Sequence, residues 1–288
     1  MKRYRIPEIA RKYVEYDLIQ KHTKLPEFPD SRVRLLFAFL NKSPVSSANS
    51  ELFALVTSLV QMGLDTHDLI EPANIQQAER EMRSRQFKVL AGDYYSSRFY
   101  HLLSQAGQID TIRTLSGAIC EVNRLKVNLY VKMKQCIVTA EEYLQQLVQL
   151  KMQLFVAFSK LFDDKDAKPW SELLRAFTHC EVLQGELGKN EQVDTFAGSW
   201  AYWHIWHQGT DEELKSLRAN GLDAAALRAM LLKYDIRNKL VDKLSQTVEH
   251  IQTVLRELDS EKLLNELMLI GEPFVRLVRH SAPALREG

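Results

Sequence analysis

Proline placement constrains this chain more than any other feature. Proline lacks a backbone N–H and clashes with the preceding helical turn, so helix interiors exclude it. Residues 73–168 and 170–272 contain none. Around and within these stretches apolar residues recur at three- and four-residue steps, the period of a helix buried on one side. Leu52, Leu55, Val56, Leu59, Val60 and Gly63 make one such face on a helix from about Asn49 to Ile70. Leu144, Leu147, Val148, Leu154, Phe155 and Phe158 make a second, and Val241, Leu244, Val248, Ile251, Val254 and Leu258 a third. No sustained period-two alternation appears. The chain reads as all-α, a helical bundle of about ten helices forming one domain over residues 1–288.

Turn-forming residues place the breaks at Pro26 to Pro29, Lys42 to Ala48, Glu71-Pro72, Ala106-Gly107, Asp163 to Pro169, Gly185 to Asn190, Gly209-Thr210 and Asn220-Gly221. Thr210 with Glu213 forms a capping box, and Asp30 or Ser31 is placed to cap the helix holding Val33 to Leu40.

Composition narrows the function classes. The net charge of +1, with both signs mixed along the chain, excludes the basic stretch a nucleic-acid binder would show. Cys120, Cys136 and Cys180 follow no disulfide or zinc spacing. No apolar core follows the basic N-terminus, and no window reaches the ~18 apolar residues of a membrane span. A cytoplasmic protein is expected.

Two neighbouring stretches carry the chemistry. In the first, His67, Asp68 and Glu71 fall at i, i+1 and i+4, so they project from about one side of a helix end, with Asp65 at the rim. Grouped carboxylates there could hold Mg²⁺ against a diphosphate, because Mg²⁺ takes oxygen ligands and shares itself with phosphate. They could equally be a solvated helix terminus paired with Arg or Lys. Residue types alone leave both readings open.

The second stretch, Val89-Leu90-Ala91-Gly92-Asp93-Tyr94, resembles the Leu-x-Gly-Asp-Tyr-Leu segment of the all-trans polyprenyl diphosphate synthases. That segment lies one helix beyond the first aspartate-rich motif of the family. In this register the motif falls on His67-Asp68-Leu69-Ile70-Glu71, and only its second aspartate survives. Lys151-Met152 stands where the family has a Lys-Thr pair whose lysine contacts a substrate diphosphate. Ile112-Arg113-Thr114-Leu115, with Ile119 and Asn123, is similar to the component 1 branch, the small subunits of two-component heptaprenyl diphosphate synthases that make the menaquinone side chain. The resemblance is firm from about residue 52 to 130.

The resemblance implies an isoprenoid-synthase-type fold, and the departures imply an auxiliary role. An active synthase holds several Mg²⁺ ions between two aspartate-rich motifs. Here a histidine, a nitrogen ligand that disfavours Mg²⁺, takes the first position, and no second motif is found. Asp163-Asp164-Lys165-Asp166 lacks the spacing and reads as a solvated loop beside Pro169. The expectation is a subunit with no cofactor of its own, inactive alone. Its expected partner is a catalytic prenyltransferase subunit that holds the Mg²⁺, with a prenyl diphosphate chain near the interface. The alternatives are an independent prenyl synthase or terpene cyclase with a degenerate metal motif, or a helical interaction protein of the same ancestry.

Other clusters read as packing. Trp200, Trp203 and His207 share a helical side beside Tyr202, His204 and Trp206, an aromatic face expected to be buried or interfacial. His204 and His207 lack a third metal ligand. Tyr94, Tyr95, Phe99 and Tyr100 are expected in the core, with Gly92 allowing close helix approach. The stretch from about Arg98 to Tyr130 is read as one helix with apolar residues on more than one side: Ile112, Leu115, Ile119, Val122, Leu125, Val127 and Leu129. No nucleophile elbow or glycine-rich phosphate loop is present.

Overall fold

A computed structural model describes residues 2–70, 79–190, 193–218 and 222–281. Among the described residues there are fourteen α-helices and no strand. The excess over ten comes from short helices that local pattern does not separate from loops. The expected breaks at Glu71-Pro72 and Asn220-Gly221 lie outside the described residues.

The chain forms two compact units, Met1–Ile119 with Leu154–Trp170, and Cys120–Gln153 with Ser171–Gly288. The first holds α1 (Ile6–Val14), α2 (Asp17–His22), α3 (Asp30–Lys42), α4 (Ser50–Asp68) and α5 (Glu79–Gln105). The division falls inside α6 (Ile109–Lys134), α7 (Ala140–Val156) and α8 (Asp164–Lys189). The second also holds α9 (Val193–Phe196), α10 (Trp200–Gln208), α11 (Asp211–Arg218), α12 (Ala224–Lys233), α13 (Ile236–Arg256) and α14 (Glu261–Ser281).

In the first unit α4 is buried on every side from Phe53 to Leu64. Its hydroxyls can follow because they bond back into the helix: Thr57 donates to the Phe53 carbonyl at 2.7 Å, Ser58 to Leu55 and Thr66 to Met62, both at 2.6 Å. α3 is buried from Arg32 to Asn41 except at Arg34, which is half-buried. Asp30 and Ser31 do not cap α3, since both lie in its first turn and no side-chain cap forms. Asp30 instead accepts the Tyr4 hydroxyl at 2.6 Å.

Asp163, Asp164 and Lys165 are exposed as expected, but the run opens α8 and is not a loop. The Asp163 carboxylate accepts the Asp166 N–H at 3.0 Å and starts α8, as an N-cap aspartate does. Asp166 is buried in an ion pair with Lys42 at 2.5 Å. The helix runs on through Pro169, whose ring Nature tolerates there at the loss of one ladder bond. Trp170 follows, packed on Phe39 and Phe162. The Arg98 to Tyr130 stretch is two helices, not one. Gly107 takes φ +68°, and the Gln108 N–H donates to Leu103 O at 2.9 Å, closing α5 as a left-handed C-cap does.

In the second unit, α8 continues through Gly185 and Gly188 and ends at Lys189, at the far end of the expected break. Between those glycines Glu186 is only 1% exposed. Its carboxylate accepts the Trp200 backbone N–H at 2.6 Å, the Lys189 ammonium at 2.8 Å and the Tyr143 hydroxyl at 3.3 Å. These contacts hold the helix in register across two weak helix formers. The capping box at α11 forms as read: the Thr210 N–H donates to Glu213 at 2.9 Å and the Glu213 N–H to Thr210 Oγ1 at 3.4 Å. The Lys233 ammonium, then the Tyr234 hydroxyl and the Thr210 N–H, hold the Glu213 carboxyl down at about 2.

Candidate functional site

The His67 region and the Gly92 region meet where α4 packs on α5, the most extensive helix pair of the fold. Two glycines set the approach. A methyl group at Gly63 would fall 2.7 Å from Ser96 Oγ and 3.1 Å from the Gly92 carbonyl oxygen. One at Gly92 would fall 2.6 to 2.8 Å from three atoms of the His67 imidazole. The His67 ring therefore lies directly on the α5 backbone, in space that only a missing Cβ provides. Its Nε2 is 3.4 Å from Asp93 Oδ1. Gly92 and Asp93 thus hold His67, the residue expected at the first position of the motif.

The neighbouring acids are also engaged or exposed. Asp65 accepts from Gln61 Nε2 at 2.8 Å. Gln61 Oε1 in turn accepts from the buried guanidinium of Arg32 at 3.2 Å, and that guanidinium lies over the Phe155 ring at 5.1 Å. Asp68 is exposed at the end of α4, and Lys88 closes that end by donating to the Leu69 carbonyl at 2.8 Å. Glu71 lies outside the described residues. Lys151, on α7, belongs to the second unit and is half-buried. Among the described residues no group of three or more His, Cys, Asp or Glu side chains is placed to hold a metal ion. The His67 ring rests on α5 and the Asp65 carboxylate is tied to an amide, so neither is well placed as a ligand of a Mg²⁺ cluster.

The aromatic residues divide by burial. Tyr95 and Phe99 are in the core as expected. Burial pushes the Tyr95 phenol up to about 12, and its hydroxyl donates to Val14 O at 3.2 Å. Tyr94 is half-buried, edge-on to Tyr16 at 5.5 Å. Tyr100 points outward and is not core. In the second unit Trp200 and Trp203 are buried, so the α10 aromatic face is mostly interior. His204 Nε2 takes the Lys239 ammonium at 2.9 Å, and His207 Nε2 lies 2.9 Å from Val138 O. Each histidine has its own partner.

The glycine contact supports a direct test. Exposed helical Gly→Ala changes stabilise by ~0.5–1 kcal/mol, whereas overpacking costs ~1–3. Gly92→Ala is expected to lower stability in denaturant unfolding by about 1 kcal/mol. In a His67→Ala background the same change is expected to raise it. A stabilising Gly92→Ala in the unmodified chain would mean that the ring does not rest on this helix.

Sequence reasoning missed Arg32 and Glu186, because charged residues are ordinarily exposed. The position of Arg32 at the head of the run from Val33 to Leu40 was the one available hint.

Residues 16–229 match the family described as heptaprenyl diphosphate synthase (HEPPP synthase) subunit 1. Heptaprenyl diphosphate synthase component 1 of Geobacillus stearothermophilus is 30% identical over 138 residues, 48% of this chain and 58% of that protein. The match thus spans little more than half of the relative. Solved structures share the fold across nearly the whole chain. A decaprenyl diphosphate synthase from Rhodobacter capsulatus superposes with a TM-score of 0.68 at 13% identity, covering 95% of both chains. A heptaprenyl diphosphate synthase from Staphylococcus aureus gives 0.65 at 12%, covering 93% of this chain and 95% of that one. A geranylgeranyl pyrophosphate synthetase from Pyrococcus horikoshii gives 0.69 at 13%, covering 94% of both. The fold is of the isoprenoid synthase type.

Proposed function

The chain belongs to the heptaprenyl diphosphate synthase subunit 1 family, and from that premise we propose that it is the auxiliary, non-catalytic subunit of a heterodimeric long-chain prenyl diphosphate synthase. Its partner is a catalytic subunit that holds Mg²⁺ and condenses isopentenyl diphosphate onto an allylic diphosphate, giving the side chain of menaquinone. This subunit shapes the assembly and works in the cytoplasm as one all-α domain over residues 1–288. No described helix is long and apolar enough to cross a membrane.

One observation carries the reading. The first position of the metal motif is a histidine whose ring is packed on Gly92, 3.4 Å from Asp93. Prenyl transfer needs the leaving diphosphate neutralised by several metal ions, and each 1.36 kcal/mol of lost stabilisation costs tenfold in rate. A second feature favours assembly: on α6, Val127 is 60% exposed, Tyr130 56% and Val131 44%.

The experiment is a reconstitution. The purified chain is expected to form no product from allylic and homoallylic diphosphates with Mg²⁺, and to support long-chain synthesis once the catalytic subunit is added. His67→Asp with Glu71→Asp is expected to stay inactive alone, because a second motif is still wanting. Turnover by either form without a partner, at a rate ordinary for these synthases, would overturn the proposal.

A further inference from the structure

Away from the α4–α5 site, the second unit holds a cleft of about 420 Å³ between α7, α8 and α13. That volume lies within the range of small-molecule sites. Leu144 and Val148 from α7 and Ala176 from α8 give it an apolar floor. Arg175 of α8 and Lys243 of α13 line the same space, so two cations on different helices face one recess. An adjoining recess of about 280 Å³ shares Lys243 and Glu141 and adds Lys239 and Asp242.

The histidine at this place is tied to α13. Thr247 Oγ1 lies 2.8 Å from the Lys243 carbonyl and 3.0 Å from His179 Nδ1. When the hydroxyl gives its proton to the carbonyl, Nδ1 donates to it and Nε2 is the proton-accepting atom of the ring. Burial, and then the charges of Lys243 and Arg175, push the His179 imidazole down, against an opposing pull from Glu141. Both cations thus act on one point, and an anion there would relieve their repulsion and let Nε2 take a proton and donate. The acids on the rim do not cancel this. Glu141 reaches Lys243 at 2.9 Å from a largely exposed position, so it can yield to a stronger anion, and Glu172 has an interaction of its own. His250 also lines the cleft.

We propose that the cleft between α7, α8 and α13 binds a small organic phosphate or diphosphate, with its anionic head on Arg175 and Lys243 and its apolar part on Leu144, Val148 and Ala176. A planar guanidinium and a point-charge ammonium together suit a tetrahedral oxyanion with several acceptor oxygens. The assignment is independent of the assembly reading, because it needs no partner subunit and no residue of the α4–α5 site.

The test is titration calorimetry on the full-length chain with inorganic pyrophosphate and with geranyl diphosphate, at pH 6 and pH 8. Geranyl diphosphate is expected to bind more tightly than pyrophosphate, and more tightly at pH 6 than at pH 8. Arg175→Gln and Lys243→Gln are each expected to weaken it at least tenfold while circular dichroism and the unfolding midpoint stay close to those of the unmodified chain. His179→Gln is expected to remove most of the pH dependence, which separates proton uptake by the protein from that by the ligand. Arg256→Gln, an exposed cation at the end of α13 outside the cleft, is the control and should bind normally. The cleft assignment is overturned if neither ligand binds at millimolar concentration, or if Arg175→Gln and Lys243→Gln keep the affinity of the unmodified chain. Equal affinity for the two ligands would overturn the organic part of the assignment.

Discussion

Glu186→Ala is expected to destabilise the chain by about 3–5 kcal/mol, the cost of removing one member of a buried charged network. The carboxylate is 1% exposed and serves three donors. Only one of them, the Lys189 ammonium, reaches solvent freely enough to be rehydrated in place. The Trp200 N–H opens α10, where the first turn has no intrahelical acceptors. Ser199 satisfies the Tyr202 N–H at 3.2 Å, and Glu186 satisfies Trp200. Without it a buried N–H and the buried Tyr143 hydroxyl both lose their acceptor, at ~1–3 kcal/mol each. Burial and then the Glu186 charge keep the Tyr143 phenol well above its ordinary value, so it stays a donor. Glu186→Gln retains an acceptor oxygen and should cost about half as much. Urea unfolding followed by helical circular dichroism measures both. An alanine variant within 1 kcal/mol of the unmodified chain would show that α10 does not depend on this contact. Against a typical total of ~5–15 kcal/mol, the alanine loss is large enough to lower the yield of folded protein.

The same carboxylate marks the limit of what residue order reveals. All-α architecture was legible because prolines and periodicity act locally, and the helices expected near Asn49 to Ile70 and Val241 to Leu258 lie at α4 and α13. The Gly92-Asp93 landmark was legible as a place of close helix approach, since a missing Cβ has few other uses inside a helix. The identity of the atom it makes room for, the His67 ring, depends on a residue 25 positions away. Partners of the buried charges are further off still: Lys42 lies far along the chain from Asp166, and Tyr143 from Glu186. Local turn chemistry argued for loops at Asp163 to Pro169 and at Gly185 to Asn190, and in both places a buried carboxylate with distant partners keeps the chain helical. Propensity yields to tertiary contacts there.

Val127→Glu is expected to leave the fold intact and to remove both binding to the catalytic subunit and prenyl transfer by the reconstituted pair. The apolar residues of α6 sort into two sets. Leu115, Val122 and Leu129 are buried and Ile112, Ile119 and Leu125 partly so, whereas Val127 stands outward with Tyr130 and Val131. Val122 and Leu129 are two turns apart and share a side, and Val127 falls roughly opposite. An exposed substitution on a helix ordinarily changes stability by less than ~0.5 kcal/mol. A carboxylate desolvated without a partner in an interface costs several kcal/mol, and ~3 kcal/mol weakens association more than a hundredfold. Val131→Glu should behave likewise, while Val122→Glu and Leu129→Glu should unfold the chain by charging its core. Binding is measured by calorimetry against the catalytic subunit, and folding by helicity and the urea midpoint of the isolated chain. If Val127→Glu and Val131→Glu both bind normally and support full prenyl transfer, this face of α6 is not the interface. The aromatic face of α10 is then a poor substitute, because Trp200 and Trp203 are already interior; the exposed residues Met82, Val89 and Leu90 of α5 become the next surface to charge.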